Sequence, residues 1–229
     1  MTSLEDLTRL VPPPASPPPT DWNVIESLLQ TPLPDDYKQL TDTYGPGVFC
    51  DFVHLYHPHG ATEWVDLTGP MPARLRRQLV ADRDSGTCPV PHDPENLFAL
   101  AVTDNGNRLF WITTPGEEPD AWRIAVDQAD GRAWYTHDGN LTSFLVALLS
   151  GHVRAPVFPD GLLGNGAFFT PARPADDGPP ATPNPAGATT SREVIRQWAR
   201  SQGYDVPDRG RVPGHVIQAW ERAAERFRR

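Results

Sequence analysis

The sequence predicts an α+β domain, a mostly antiparallel sheet flanked by helices, followed by a proline-rich linker and a small two-helix α domain. Three observations carry that expectation. Apolar residues recur at helical spacing in the first part of the chain, give way from Val48 to short β-branched and aromatic runs, and return to helical spacing near the end. Of the 27 prolines, six fall from Pro12 to Pro19 and six more between Thr170 and Thr190, so both stretches read as extended and polyproline-like. The charge divides at the second stretch: residues 1–188 carry 11 basic and 24 acidic groups, net −13, whereas residues 189–229 carry 9 and 5, net +4. The expected organisation is a Pro-rich segment over 1–19, the α+β domain over 20–169, a disordered Pro/Ala/Gly linker over 170–188, and a helix-loop-helix domain over 189–229.

With 229 residues, 38% of them hydrophobic, the chain can bury a real core. No window approaches 18 consecutive apolar residues, and Met1-Thr-Ser-Leu-Glu-Asp-Leu-Thr-Arg has neither a charged n-region nor an apolar h-region. The reading therefore predicts no membrane span or signal peptide, and a cytoplasmic location. Cys50 and Cys88 are too few for a disulfide framework or a Cys-rich zinc site and read as lone buried thiols.

The elements follow in order. Trp22, Ile25, Leu28 and Leu29 mark one stripe of a first helix starting at Asp21. A second opens at Leu33-Pro-Asp-Asp, with two carboxylates in its first turn, Tyr37, Leu40 and Tyr44 facing inward, and Gly45 as its stop. Phe49 to Tyr56, Glu63 to Leu67, Leu97 to Thr103, Arg108 to Thr113, Trp122 to Asp127 and Ala133 to His137 read as strands. Asp104-Asn-Gly-Asn is a hairpin turn, because Asn-Gly tolerates the positive φ of a tight turn. Met71 to Arg83 and Leu141 to Leu149 read as further helices.

Val11-Pro-Pro-Pro, Asp21-Trp with Ile25-Glu26, Leu33-Pro-Asp-Asp-Tyr-Lys, Tyr44-Gly-Pro-Gly-Val-Phe, Thr103-Asp-Asn-Gly before Phe110-Trp111, and Ser143-Phe-Leu occur here in a fixed order. As a set they resemble the SUKH superfamily, bacterial immunity proteins related to yeast cell-wall-synthesis regulators of the SMI/KNR type. The resemblance implies an α+β protein-binding fold without catalytic residues, used in bacteria mostly to neutralise a toxin by occlusion. It supplies a partner class and no partner.

Candidate chemistry in this domain is sparse. His54, His57 and His59, with Asp51, invite a metal site. In an extended segment, however, His57 and His59 share a face, His54 lies on the other, and Pro58 disturbs the geometry. A solvated strand end is the expectation, with no metal. Trp22, Trp111 and Trp134 fall on apolar phases and read as packing rather than as a platform for bases. Arg74, Arg76 and Arg77, inside a segment of net −13, read as a salt-bridged helix face.

The last forty residues are more informative. Thr190-Ser-Arg-Glu193 is a capping box that starts a helix, Val194, Ile195, Trp198 and Ala199 form its apolar stripe, and Gly203 takes the C′ position. Pro213 opens a second helix, with Val216, Trp220, Ala223 and Phe227 on one stripe. Between them a loop presents Arg209-Gly210-Arg211 at its tip. An A·T-rich minor groove is narrow, focuses the phosphates' negative potential on its floor, and lacks the guanine amino group that obstructs an inserted side chain. Two guanidinium groups flanking a glycine suit it, since glycine lets the backbone approach while the arginines splay along the floor, as in AT-hook peptides.

Ile195-Arg-Gln-Trp-Ala-Arg-Ser-Gln-Gly, Val206-Pro-Asp-Arg-Gly-Arg-Val-Pro and Val216-Ile-Gln-Ala-Trp together resemble the C-terminal DNA-binding domain of the Lsr-type actinobacterial nucleoid proteins, functional analogues of H-NS. The resemblance covers residues 191–225. It implies that Arg209, Gly210 and Arg211 are a minor-groove hook and that Arg192 and Arg196 contact phosphates. Those nucleoid proteins carry an N-terminal oligomerisation domain, in whose place a SUKH-like domain stands here, so bridging and filament formation do not transfer. Lys38 as the sole lysine agrees with an actinobacterial, GC-rich origin.

The expected function is thus binding to A·T-rich double-stranded DNA in a nucleoid-associated or regulatory role, with an unknown protein partner for the large domain. The alternative is a SUKH-type immunity protein that neutralises a toxin, with the DNA module as localiser. No Ser/His/Asp, Cys/His, P-loop or dinucleotide-binding pattern occurs in the sequence, so neither enzymatic activity nor a cofactor is expected.

Overall fold

In the computed structural model the chain divides into two units, Met1–Ala175 and Asp176–Arg229. The residues described are 3–172, except 16, 18, 61, 87, 129, 130, 154, 155 and 160, and they belong to the first unit. The linker expected from residue 173 on, the two helices expected near the end of the sequence and the expected Arg-Gly-Arg loop lie outside them.

The first element departs from expectation. Ser3–Leu10 is a helix, α1, where the sequence reading has only a proline-rich approach to the domain. Leu7 and, one turn on, Val11 are fully buried, and the Tyr44 hydroxyl donates to the Val11 carbonyl at 2.6 Å. The segment is therefore part of the core. The Pro tract behind it lies against the next structural stop, for a Cβ added at Gly45 would meet Pro17 Cβ at 2.7 Å.

Trp22–Leu29 forms α2, capped by the Asp21 carboxylate, which accepts from the Val24 amide at 3.3 Å. Ile25 is buried, and Trp22 and Leu29 pack partly against the core. Leu28 does not: it is 67% exposed. At 3.6 residues per turn it lies about 100° from Leu29 around the helix, outside the stripe centred on Trp22, Ile25 and Leu29. Asp35–Tyr44 forms α3, with Asp35 and Asp36 in the first turn, Tyr37, Leu40 and Tyr44 buried, and Gly45 at φ +69° ending it.

The expected strand Phe49 to Tyr56 is two strands. Gly47–Phe49 (β1) and Val53–Leu55 (β2) pair antiparallel across a turn in which Cys50 and Asp51 take positive φ. The expected strand Glu63 to Leu67 is a loop. It folds back on His57 through His57 N–H to Val65 O and Leu67 N–H to His57 O, leaving one isolated bridge, His57 to Asp66. Its neighbour β2 is already paired on both sides, so the run has no free edge to join.

Met71–Ser85 forms α4, two residues longer than expected. Leu97–Thr103 (β3), Arg108–Ile112 (β4), Arg123–Asp127 (β5) and Trp134–His137 (β6) follow. The β3–β4 hairpin turns through Gly106 at φ +89°, as the Asn-Gly pair requires. Leu141–Leu149 forms α5, capped by Asn140, whose side chain accepts from the Ser143 amide. Phe169–Pro171 then adds β7 against β1, so residues 170 and 171, expected to begin the linker, belong to the sheet. Pro171 is tolerable there because β7 is an edge strand, where a missing N–H breaks no ladder.

The result is a seven-stranded antiparallel sheet in the order β6-β5-β4-β3-β2-β1-β7. Neighbouring side chains on a strand point to opposite faces, and all five residues of β4 are buried, so both faces of the sheet centre are covered. The expected α+β architecture with an antiparallel sheet and flanking helices is present in this unit. Trp111 is fully buried and packs against Tyr37 (ring centroids 5.0 Å), Phe98 and Trp122. Trp22 and Trp134 are partly buried, their indole N–H groups donating to Asp42 at 2.9 Å and to the Pro89 carbonyl at 2.8 Å. No helix among the described residues is long and apolar enough to cross a membrane.

Candidate nucleic-acid interface

The residues expected to meet DNA, Arg192, Arg196, Arg209, Gly210 and Arg211, all lie outside the described residues. Within the first unit, the groups that invited chemistry from sequence resolve into separate environments. His54 Nε2 pairs with Asp104 at 3.0 Å. His57 is 2% exposed, and its Nδ1 accepts from the His59 backbone amide at 2.9 Å. Burial, with the like charge of His59 beside it, pushes the His57 imidazole down to about 4, against the opposing effects of the Thr41 carbonyl and Asp66. A ring held neutral in this way fastens the 57–67 loop to α3. Among the described residues no three His, Cys, Asp or Glu side chains converge as metal ligands.

The carboxylates at the start of α3 are likewise structural. Asp36 accepts from the Thr142 amide at 2.8 Å and the Thr142 hydroxyl at 3.1 Å, fastening α3 to the first turn of α5. Burial raises its carboxyl above the ordinary range. Asp120 accepts from the Asp35 amide at 2.6 Å. Arg108 on β4 and Asp127, its cross-strand partner on β5, form a buried ion pair.

The basic groups of this unit divide in a way that sequence reasoning missed. Arg9 pairs with Asp6, Lys38 with Glu26 and Asp35, Arg83 with Asp84 and Asp93, Arg108 with Asp127, and Arg123 with Asp138. Arg74, Arg76 and Arg77 were expected on a salt-bridged face; among the described residues none of them has a carboxylate within ion-pairing distance. The Arg74 guanidinium instead lies 6.0 Å from the centroid of the Trp64 ring. The signal was available: no position three or four residues from Arg74, Arg76 or Arg77 is Asp or Glu, and those are the only positions that face them along a helix.

Residues 187–223 match the family of the Lsr2 DNA-binding domain. All five candidate residues fall inside that match. The chain therefore carries a DNA-binding part at its C-terminal end, and DNA is a partner. No curated protein and no solved structure matches the chain.

Proposed function

We propose that the protein binds A·T-rich duplex DNA by inserting Arg209-Gly210-Arg211 into the minor groove, with Arg192 and Arg196 on flanking phosphates. The N-terminal domain, through its resemblance to the SUKH superfamily, binds a protein partner. The role is nucleoid-associated or regulatory, and it is one of binding rather than catalysis. The observation that carries this reading is the match of residues 187–223 to the Lsr2 DNA-binding domain, because the Arg-Gly-Arg tripeptide lies within it and has the composition that a narrow groove selects. The concentration of net +4 in residues 189–229 of a chain of net −9 supports the same assignment, since a polyanion needs positive charge gathered in one region. For the large domain, Val24 and Leu28 support a protein-binding role: they stand one helical turn apart on α2 and are 52% and 67% exposed.

The test is titration of the full chain against an A·T-rich and a G·C-rich duplex of equal length at one salt concentration. The A·T-rich duplex is bound more tightly, and Arg209→Ala with Arg211→Ala abolishes the preference while helical circular dichroism is retained. Equal affinity of the unmodified chain for both duplexes contradicts the minor-groove mechanism. Loss of helical signal in the double variant makes the two arginines structural.

A further inference from the structure

We infer that the first half of α4 is a second, sequence-independent DNA contact, in which Arg74, Arg76 and Arg77 meet backbone phosphates. This rests on the DNA-binding assignment of the C-terminal part, but not on the minor-groove reading. In a segment with 24 acidic and 11 basic groups, a basic side chain ordinarily finds a carboxylate, and Arg9, Lys38, Arg83, Arg108 and Arg123 all do. The three arginines within four residues on α4 have no carboxylate within ion-pairing distance among the described residues. None of them is neutralised by an ion pair among the described residues; Arg74 and Arg77 are exposed and Arg76 is half-buried.

Their helix sharpens the point. α4 has no acidic residue in its first turn, where acidic residues are favoured by the helix dipole. Three positive charges beside the positive end of a fifteen-residue helix raise the local potential, which attracts an external anion. Arg76 and Arg77 line an open cleft of about 450 Å³ together with Val80, Ala81, Asp84 and Glu95, and neither carboxylate comes within ion-pairing distance of them.

DNA is the polyanion this chain already holds. Residues 173–186 separate the described fold from the DNA-binding match, and fourteen residues span at most roughly 50 Å. A contact tethered at that range works at an effective concentration on the order of millimolar, so a weak phosphate patch adds measurable affinity.

Each phosphate neutralised contributes about 0.9 to the slope of log affinity against log salt. In the full chain, Arg74→Gln, Arg76→Gln and Arg77→Gln together are therefore expected to flatten that slope by about 2 to 3. The loss is equal for A·T-rich and G·C-rich duplexes, because phosphates carry no sequence. The triple Arg→Lys variant keeps the slope. A control of matched charge, Arg9→Gln with Arg83→Gln and Arg123→Gln, removes three exposed arginines that are already paired and changes the slope by less than the α4 variant. If the α4 variant loses its fold by circular dichroism, Arg77→Glu alone is read instead and flattens the slope by about 1 or more. An unchanged slope in the α4 variant, or in Arg77→Glu where that is read, or an equal change in the matched control, overturns the inference. A chain that binds both duplexes equally yet shows the α4 effect overturns the minor-groove reading and leaves this one standing.

Discussion

A single histidine sets an expectation for how the large domain responds to acid. The His57 imidazole is pushed down from 6.5 to about 4 by burial, with His59 adding and the Thr41 carbonyl and Asp66 opposing. In the unfolded chain the ring takes up its proton near its ordinary value, so the unfolded state binds the proton first as pH falls. The stability associated with the neutral ring is complete above about pH 6.5 and is lost progressively toward pH 4, a loss of about 3 kcal/mol at its largest. Asp36 acts in the opposite sense over the more acidic range, since burial raises its carboxyl and favours the protonated form in the fold. Denaturant midpoints at pH 7 and pH 4.5 check this: His57→Gln loses less stability between the two than the unmodified protein. An equal loss in both would assign the acid sensitivity to other groups.

The helices and strands show which patterns were readable and which were not. β3, β4, β5 and β6 each have four to seven residues, long enough for apolar alternation or a continuous buried run to register, and their expected and observed ranges agree within a residue. β1, β2 and β7 have three residues each, too few for any period, and their pairing depends on the tight turn at Cys50-Asp51 and on a chain returning from residue 169. The pattern that identified α2 also misplaced Leu28, because five apolar residues in eight do not say where the stripe is centred. Leu4 and Leu7 in α1 and Val11 just beyond it do stand at helical spacing, but an adjoining proline tract masks so short an element. Because Leu7 is fully buried, Leu7→Ala is expected to cost about 2–5 kcal/mol, read as a lowered denaturant midpoint of the full chain with its slope unchanged. A shift near zero would mean that α1 is dispensable to the core.

At the scale of the whole molecule, the chain joins an acidic α+β unit to a basic DNA-binding part, and the two were legible for different reasons. The DNA-binding part was legible from local sequence: Thr190-Ser-Arg-Glu193 reads as a capping box, Gly203 as a stop and Pro213 as a start, with Arg209-Gly210-Arg211 between the last two, all of them outside the described residues. None of these depends on distant contacts. The arginines of α4 were misread because the net charge of the whole segment suggests partners for them, whereas the positions three and four residues away from them along the helix hold no Asp or Glu. The charge split also has a binding consequence. A −13 segment, a net charge that already counts the α4 arginines, repels phosphates over the Debye length of about 10 Å at 0.1 M salt.

The central claim, that the Arg-Gly-Arg loop reads the minor groove, is tested most directly by substituting inosine for guanine. An I·C pair keeps the major-groove pattern of G·C but lacks the amino group in the minor groove, where it then resembles A·T. The full chain is titrated at one salt concentration against three duplexes of the same length, rich in A·T, I·C or G·C. The account predicts that the I·C-rich duplex is bound nearly as tightly as the A·T-rich one and more tightly than the G·C-rich one, and that Arg209→Ala with Arg211→Ala erases the difference. Affinity for the I·C-rich duplex equal to that for the G·C-rich duplex would contradict it.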